Sequence, residues 1–107
     1  RFPMPTKTSL TAEQLQQLLD KKKEVMVIDV RSKEEYGELH ISFAGNLPIE
    51  IIESGSFIPE PGKIIVTACG KGGGRSERAA KYLRENSSNE VYFLEGGTFA
   101  WPENSQL

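Results

Sequence analysis

The sequence predicts an α/β domain in which a largely parallel sheet carries helices on both faces. Three observations lead there. Strand-like and helix-like segments alternate along the whole chain, as a parallel sheet with crossover helices requires. The runs Val25-Met26-Val27-Ile28-Asp29-Val30 and Lys63-Ile64-Ile65-Val66-Thr67-Ala68 are almost uninterrupted apolar and β-branched rather than alternating, as strands buried on both faces are. Helix starts are marked by two capping boxes, Thr11-Ala12-Glu13-Gln14 and Ser32-Lys33-Glu34-Glu35. With 107 residues and 37% apolar content, residues 1–107 suit a single domain with one core.

Each element follows from its own residues. Leu10 can pack on Leu15 as a staple across the first capping box, so a helix runs to about Asp20 with Leu15, Leu18 and Leu19 on its apolar face. Lys21-Lys22-Lys23 reads as a solvated last turn whose cations complement the helix dipole. The strand over 25–30 is broken only by Asp29, and the helix opened by Ser32 ends near Gly37. Ala44-Gly45-Asn46-Leu47-Pro48 forms a turn with a short extended piece, and a helix follows from Ile49 to about Ser54. Pro59 and Pro61 fence off the next strand, which closes on Cys69. A helix over 76–83 then presents Ala79, Ala80 and Leu83 on one face and frays through Asn86-Ser87-Ser88-Asn89. Val91-Tyr92-Phe93-Leu94 is the last strand, Gly96-Gly97 a turn, and Thr98-Phe99-Ala100-Trp101 a short helical cap ended by Pro102.

Charge narrows the partners. The chain carries 13 Lys+Arg against 15 Asp+Glu. Between residues 63 and 84, however, six bases (Lys63, Lys71, Arg75, Arg78, Lys81, Arg84) face one acid, Glu77. A basic stretch around one turn suits a small anion, whereas nucleic acid calls for a broader basic surface with exposed aromatics. No nucleic-acid partner is expected. Apolar runs fall short of the roughly 18 residues that cross a membrane. One cysteine forms no internal disulfide, and neither paired cysteines nor clustered histidines offer a metal site. The expectation is a cytoplasmic chain without metal or cofactor. Its start at Arg1-Phe2-Pro3 leaves a removed leader or a larger parent protein open, and oligomeric state is equally open.

The chemistry-bearing segment is Cys69-Gly70-Lys71-Gly72-Gly73-Gly74-Arg75-Ser76. A strand that stops at a thiol, turns through glycines and enters a helix aims successive backbone N–H groups at one point beside the positive end of the helix dipole. An anion fits there. The same field, with Lys71 and Arg75, lowers a cysteine pKa from about 8.5 towards neutrality and makes Cys69 a nucleophile. In open α/β sheets ligands sit at the carboxyl ends of strands, where this reading puts Cys69. Other anion loops match less well. A Walker-type loop needs Lys and Ser/Thr after its last glycine, but Arg75-Ser76 stands there, and a dinucleotide loop needs a glycine where Arg75 is. Ser76 lacks the nucleophile-elbow pattern of a serine hydrolase.

These residues resemble the rhodanese-like domains. Four stretches carry the likeness: Asp29-Val30-Arg31 with Glu35-Tyr36; His40-Ile41 through Ala44 and Asn46-Leu47-Pro48; the loop from Cys69 to Ser76; and Leu94-Glu95-Gly96-Gly97 with Trp101. In order and spacing they cover residues 9 to 101. The resemblance implies a five-stranded parallel sheet flanked by helices. It also implies a cysteine that takes sulfane sulfur as a persulfide from a small anionic donor and passes it to a thiol, cyanide or a sulfur-carrier protein. Asp29 and Arg31 resemble a family pair that braces the sheet end behind the active site.

Two features depart from the family. Leu39 and Phe43 stand where glycines are usual. Cys69 and Arg75 are separated by five residues, where sulfurtransferase members usually have four. The longer spacing resembles the related cell-cycle dual-specificity phosphatases and arsenate reductases, although Ala68 stands where those phosphatases carry histidine. The reading is sulfur transfer through Cys69. The alternatives are Cys-dependent phosphatase or arsenate reductase chemistry, and a non-catalytic rhodanese-like binding module. A wide glycine loop would admit polysulfide or a bulky persulfide and hold thiosulfate loosely. His40 is expected to make a structural hydrogen bond near a turn, and Trp101, Phe99 and Tyr36 to pack in the core.

Overall fold

The computed structural model describes residues 8–71 and 74–102. Both capping boxes form as the sequence dictates. Thr11 Oγ1 accepts from Gln14 N at 3.1 Å while the Gln14 side chain accepts from Thr11 N at 3.0 Å, opening α1 (Ala12–Asp20) behind a two-residue strand, β1 (Ser9–Leu10). Ser32 and Glu35 do the same for α2 (Lys33–Glu38), which follows β2 (Val25–Asp29). The remaining elements are β3 (Gly45–Asn46), α3 (Ile49–Glu53), β4 (Ile64–Ala68), α4 (Gly74–Glu85), β5 (Glu90–Leu94) and α5 (Gly97–Ala100).

The five strands pair in the order β1-β5-β4-β2-β3, and every pairing is parallel. All carboxyl ends therefore lie on one side of the sheet. Register runs from Val25 opposite Ile64 to Asp29 opposite Ala68, so Asp29 ends its strand beside the last residue before Cys69. Neighbouring residues of the central strands are buried on opposite faces, which is why those runs do not alternate. Ile28 and Ile65 join Ile49, Ile52, Ala79, Ala80 and Leu83 under α3 and α4. Val27 and Val66 join Leu10, Leu15, Leu94 and Trp101 on the α1 side. Leu15 and Ile65 are fully buried, each worth about 1.5–3 kcal/mol of transfer free energy.

Most boundaries fall within a residue of expectation, and three differences bear on the architecture. Ser9–Leu10 pairs with β5 as an edge strand too short to show a period. The last long helix begins at Gly74, two residues before the expected start, and α2 runs one residue past Gly37. Among the described residues no helix is long and apolar enough to cross a membrane.

Candidate active site

Cys69 follows β4 directly and is 5% exposed. Its Sγ lies 3.2 Å from Ser76 Oγ, to which the thiol donates. Ser76 is fully buried in the first turn of α4, and its carbonyl accepts from Thr67 Oγ1 at 2.7 Å. The strand and the helix are thus tied together on either side of the thiol, and the sulfur sits by the positive end of a 12-residue helix. Ser76, read from the sequence as the last residue of the anion-binding segment and the start of the helix, is the hydroxyl in contact with the Cys69 thiol.

A short helix holds the loop from behind. Thr98 N donates to Cys69 O at 2.7 Å and Phe99 N to Gly70 O at 3.1 Å. In a planar trans peptide the carbonyl of one residue and the N–H of the next point in opposite directions. Turning the Cys69 and Gly70 carbonyls towards α5 therefore turns the Gly70 and Lys71 N–H groups away from it. Glycines make this approach feasible. A Cβ on Gly70 would lie 3.2 Å from Phe99 Cε2, and one on Gly96, at φ +77°, would lie 2.6 Å from the Ala100 Cβ.

Asp29 and Arg31 form a buried bridge at the end of β2. Arg31 Nε donates to Oδ1 at 3.0 Å and Nη2 to Oδ2 at 2.7 Å, with the side chains 2% and 0% exposed. Arg31 Nη2 also reaches Leu39 O at 2.5 Å, its guanidinium stands 5.7 Å from the Phe99 ring centre, and Thr98 Oγ1 donates to Asp29 Oδ2 at 3.4 Å. Leu39, although not the usual glycine, is thus held by its backbone. The pair links β2, the loop after α2, and the α5 residues that support Cys69.

Arg75 points elsewhere. Its Nη1 and Nη2 donate to the two Glu35 oxygens at 2.8 and 3.1 Å, and the side chains are 44% and 41% exposed. Glu35 Oε1 also accepts from Ser32 N and Oγ, at 3.2 and 3.1 Å. The Arg75 hydrogen bond and then the Ser32 amide hold the Glu35 carboxyl down at about 2. Arg75 is raised above its ordinary value chiefly by Glu35, and the charges of Cys69 and Asp29 act in the same direction. Lys71, two residues after Cys69, is exposed, whereas Gly72 and Gly73 lie outside the described residues. Gly74 begins α4.

The expected basic field is compensated in part, Arg75, Arg78 and Lys63 each having a carboxylate partner. Arg78 pairs with Glu53 at 2.6 Å, Lys63 lies 3.9 Å from Glu60, and Arg84 donates to Val91 O. Sequence separation hid Glu35 and Glu53, which lie 40 and 25 residues from their arginines. Glu35 could have been found only by asking what its second oxygen does once the capping box is made.

The aromatic expectations divide. Trp101 is 5% exposed and meets Phe43 edge-on at 5.6 Å. Phe99, expected in the core, is 45% exposed, because it covers Gly70 at the loop rather than the interior. His40 Nδ1 donates to Tyr36 O at 2.8 Å, and the two rings stack at 3.8 Å. A carbonyl only accepts, so this bond fixes the proton on Nδ1. Among the described residues no group of His, Cys, Asp and Glu is arranged to hold a metal ion.

A parallel α/β sheet that delivers a buried thiol to a helix N-terminus at its carboxyl edge defines a class of cysteine-loop domain. The family model described as the rhodanese-like domain matches residues 11–104, and the chain belongs to that family. It is 33% identical over 94 residues to the thiosulfate sulfurtransferase GlpE of Shewanella oneidensis, covering 88% of this chain and 91% of that one. It is 29% identical to the Mycobacterium tuberculosis protein named "Probable adenylyltransferase/sulfurtransferase MoeZ", over 92% of this chain but only 26% of that protein. The solved rhodanese-like domain protein of Staphylococcus aureus superimposes with a TM-score of 0.73 at 31% identity, covering 88% of this chain and 90% of that one.

Proposed function

We propose that this chain is a sulfurtransferase that carries sulfane sulfur as a persulfide on Cys69. The observation that carries the reading is the Cys69 thiol 3.2 Å from Ser76 Oγ at the start of α4. A charged sulfur there receives the Ser76 hydroxyl as donor and the field of the helix N-terminus. Named relatives of the same family that transfer sulfur add support.

In the first half-reaction the Cys69 thiolate attacks the outer sulfur of the donor. A new S–S bond forms on Cys69, the donor's S–S bond breaks, and its electron pair leaves with the remnant: sulfite from thiosulfate, a thiolate from an alkyl persulfide. In the second, cyanide or an acceptor thiolate attacks the outer sulfur of Cys69–S–S⁻, giving thiocyanate or a new persulfide and returning the thiolate. Backbone amides of Gly70, Lys71 and the first turn of α4 cradle the anionic sulfur, with Lys71 as a mobile charge at the entrance, while the planar fork of Arg75 is engaged by Glu35. Asp29 and Arg31 brace the loop from behind.

Incubation with polysulfide or thiosulfate should add one sulfur to Cys69, read by mass spectrometry, and Cys69→Ser should abolish both the adduct and turnover. No adduct from either donor, with a thiol titrating near its usual value of about 8.5, would remove the reading. The five-residue spacing between Cys69 and Arg75 favours a second one, a Cys-dependent phosphatase or arsenate reductase. Aryl phosphate and arsenate plus thiol are therefore assayed in parallel. Cysteine-dependent phosphate release without sulfur transfer would favour that alternative, and silence with every substrate a binding module.

A further inference from the structure

The ionisable side chains tied to the cysteine loop come in compensating sets. Asp29 and Arg31 neutralise each other in the buried bridge. Arg75, the arginine that ends the loop, gives both Nη atoms to Glu35. Lys71 is exposed and makes no ion pair with a described residue. Arg75, whose charge acts on Cys69, is thus already matched by Glu35, and Lys71 is the loop cation left without a carboxylate among the described residues. Among the described residues of the loop, a donor that brings two negative charges meets no second unmatched cation unless Arg75 leaves Glu35, whereas a donor with one charge demands far less. The Glu35 carboxylate does not follow Arg75 into the loop, because Ser32 N and Oγ hold it at the start of α2.

We propose that Glu35 sets the charge of the donor: by holding Arg75 it keeps the cradle close to neutral, favouring singly charged alkyl persulfides, R–S–S⁻, over dianions such as thiosulfate, phosphate and arsenate. The inference rests on the sulfur-transfer reading above and names its substrate class. Glu35 is a positioning residue that acts through Arg75. Charge and loop width both disfavour thiosulfate, but only charge changes when Glu35 is altered and the loop is left at its full length.

Glu35→Gln separates the two, since glutamine serves the capping box just as Gln14 does in α1. The wild type and the variant are compared with thiosulfate and with 2-hydroxyethyl persulfide as donors and cyanide as common acceptor. The kcat/KM ratio of thiosulfate to persulfide should rise about fivefold in the variant, the scale of a half-exposed ion pair, and the gain should shrink as salt is added. An unchanged ratio in a folded variant overturns the inference and leaves sulfur transfer standing. A binding measurement keeps the two failures apart. Calorimetry should show sulfate binding about fivefold tighter to Cys69→Ser/Glu35→Gln than to Cys69→Ser. Equal binding overturns the inference whether or not any donor turns over. Glu35→Ala, which removes charge and cap together, is the second variant and carries the same expectation.

Discussion

Arg31 and Arg75 stand at the same edge of the sheet, and each is gripped by both oxygens of one carboxylate, yet their surroundings make them different devices. The Asp29–Arg31 bridge is almost wholly out of water, and its spare donors and acceptors are satisfied by Leu39 O and Thr98 Oγ1. The Glu35–Arg75 bridge is about two-fifths open to solvent. A buried pair is rigid because breaking it strands a charge in a medium that cannot solvate it; an exposed pair is exchangeable because water stands ready to replace either partner. One arginine is scaffold, the other an adjustable charge.

The largest effect should come from breaking the buried bridge. Asp29→Ala leaves Arg31 unpaired in the interior and should destabilise the fold by about 3–5 kcal/mol in urea denaturation. A loss below about 1 kcal/mol would place both bridges in one class. Arg31→Lys tests the geometry of the same site. It keeps the charge but removes the fork that spans Asp29, at a cost of about 1–3 kcal/mol. The smallest effect belongs to the exposed bridge, where Glu35→Gln should cost under about 1 kcal/mol after solvent screening.

The pH dependence of that last difference sharpens the comparison. Glu35 is depressed to about 2 when folded, so its contribution is complete above the unfolded carboxylate value near 4.5 and is lost as pH falls towards 2. The stability gap between wild type and Glu35→Gln should therefore be flat above about pH 5 and close between pH 4.5 and 2. A gap that persists unchanged at pH 2 would mean that the carboxylate charge is not its source.

Local chemistry was legible in the sequence and distant pairing was not. Thr11 with Gln14 and Ser32 with Glu35 lie within one helical turn, so their capping boxes could be read directly, as could the buried runs that became β2 and β4. Cys69 at the end of its strand followed from the same reasoning. Ser9–Leu10 was missed because two residues carry no period. The start of α4 was hidden by glycines, which disfavour a helix interior but are tolerated at its first position. Arg75 and Glu35 are 40 residues apart, and the sequence already gave Glu35 a complete local role, so nothing pointed to its second one. Phe99 was assigned to the core by its apolarity, yet the turn at Gly96-Gly97 directs it over the loop.

The grip of α5 on the Cys69 and Gly70 carbonyls has an evolutionary consequence. It fastens the beginning of the loop to one helix, while Ser76 fastens its end to another, so the sulfur is held from two directions. Both anchors lie outside the stretch between Lys71 and Gly74. Loop length is then expected to be a dial separate from the thiol, one that natural variation or a protein engineer could turn while the Cys69 sulfur stays where it is.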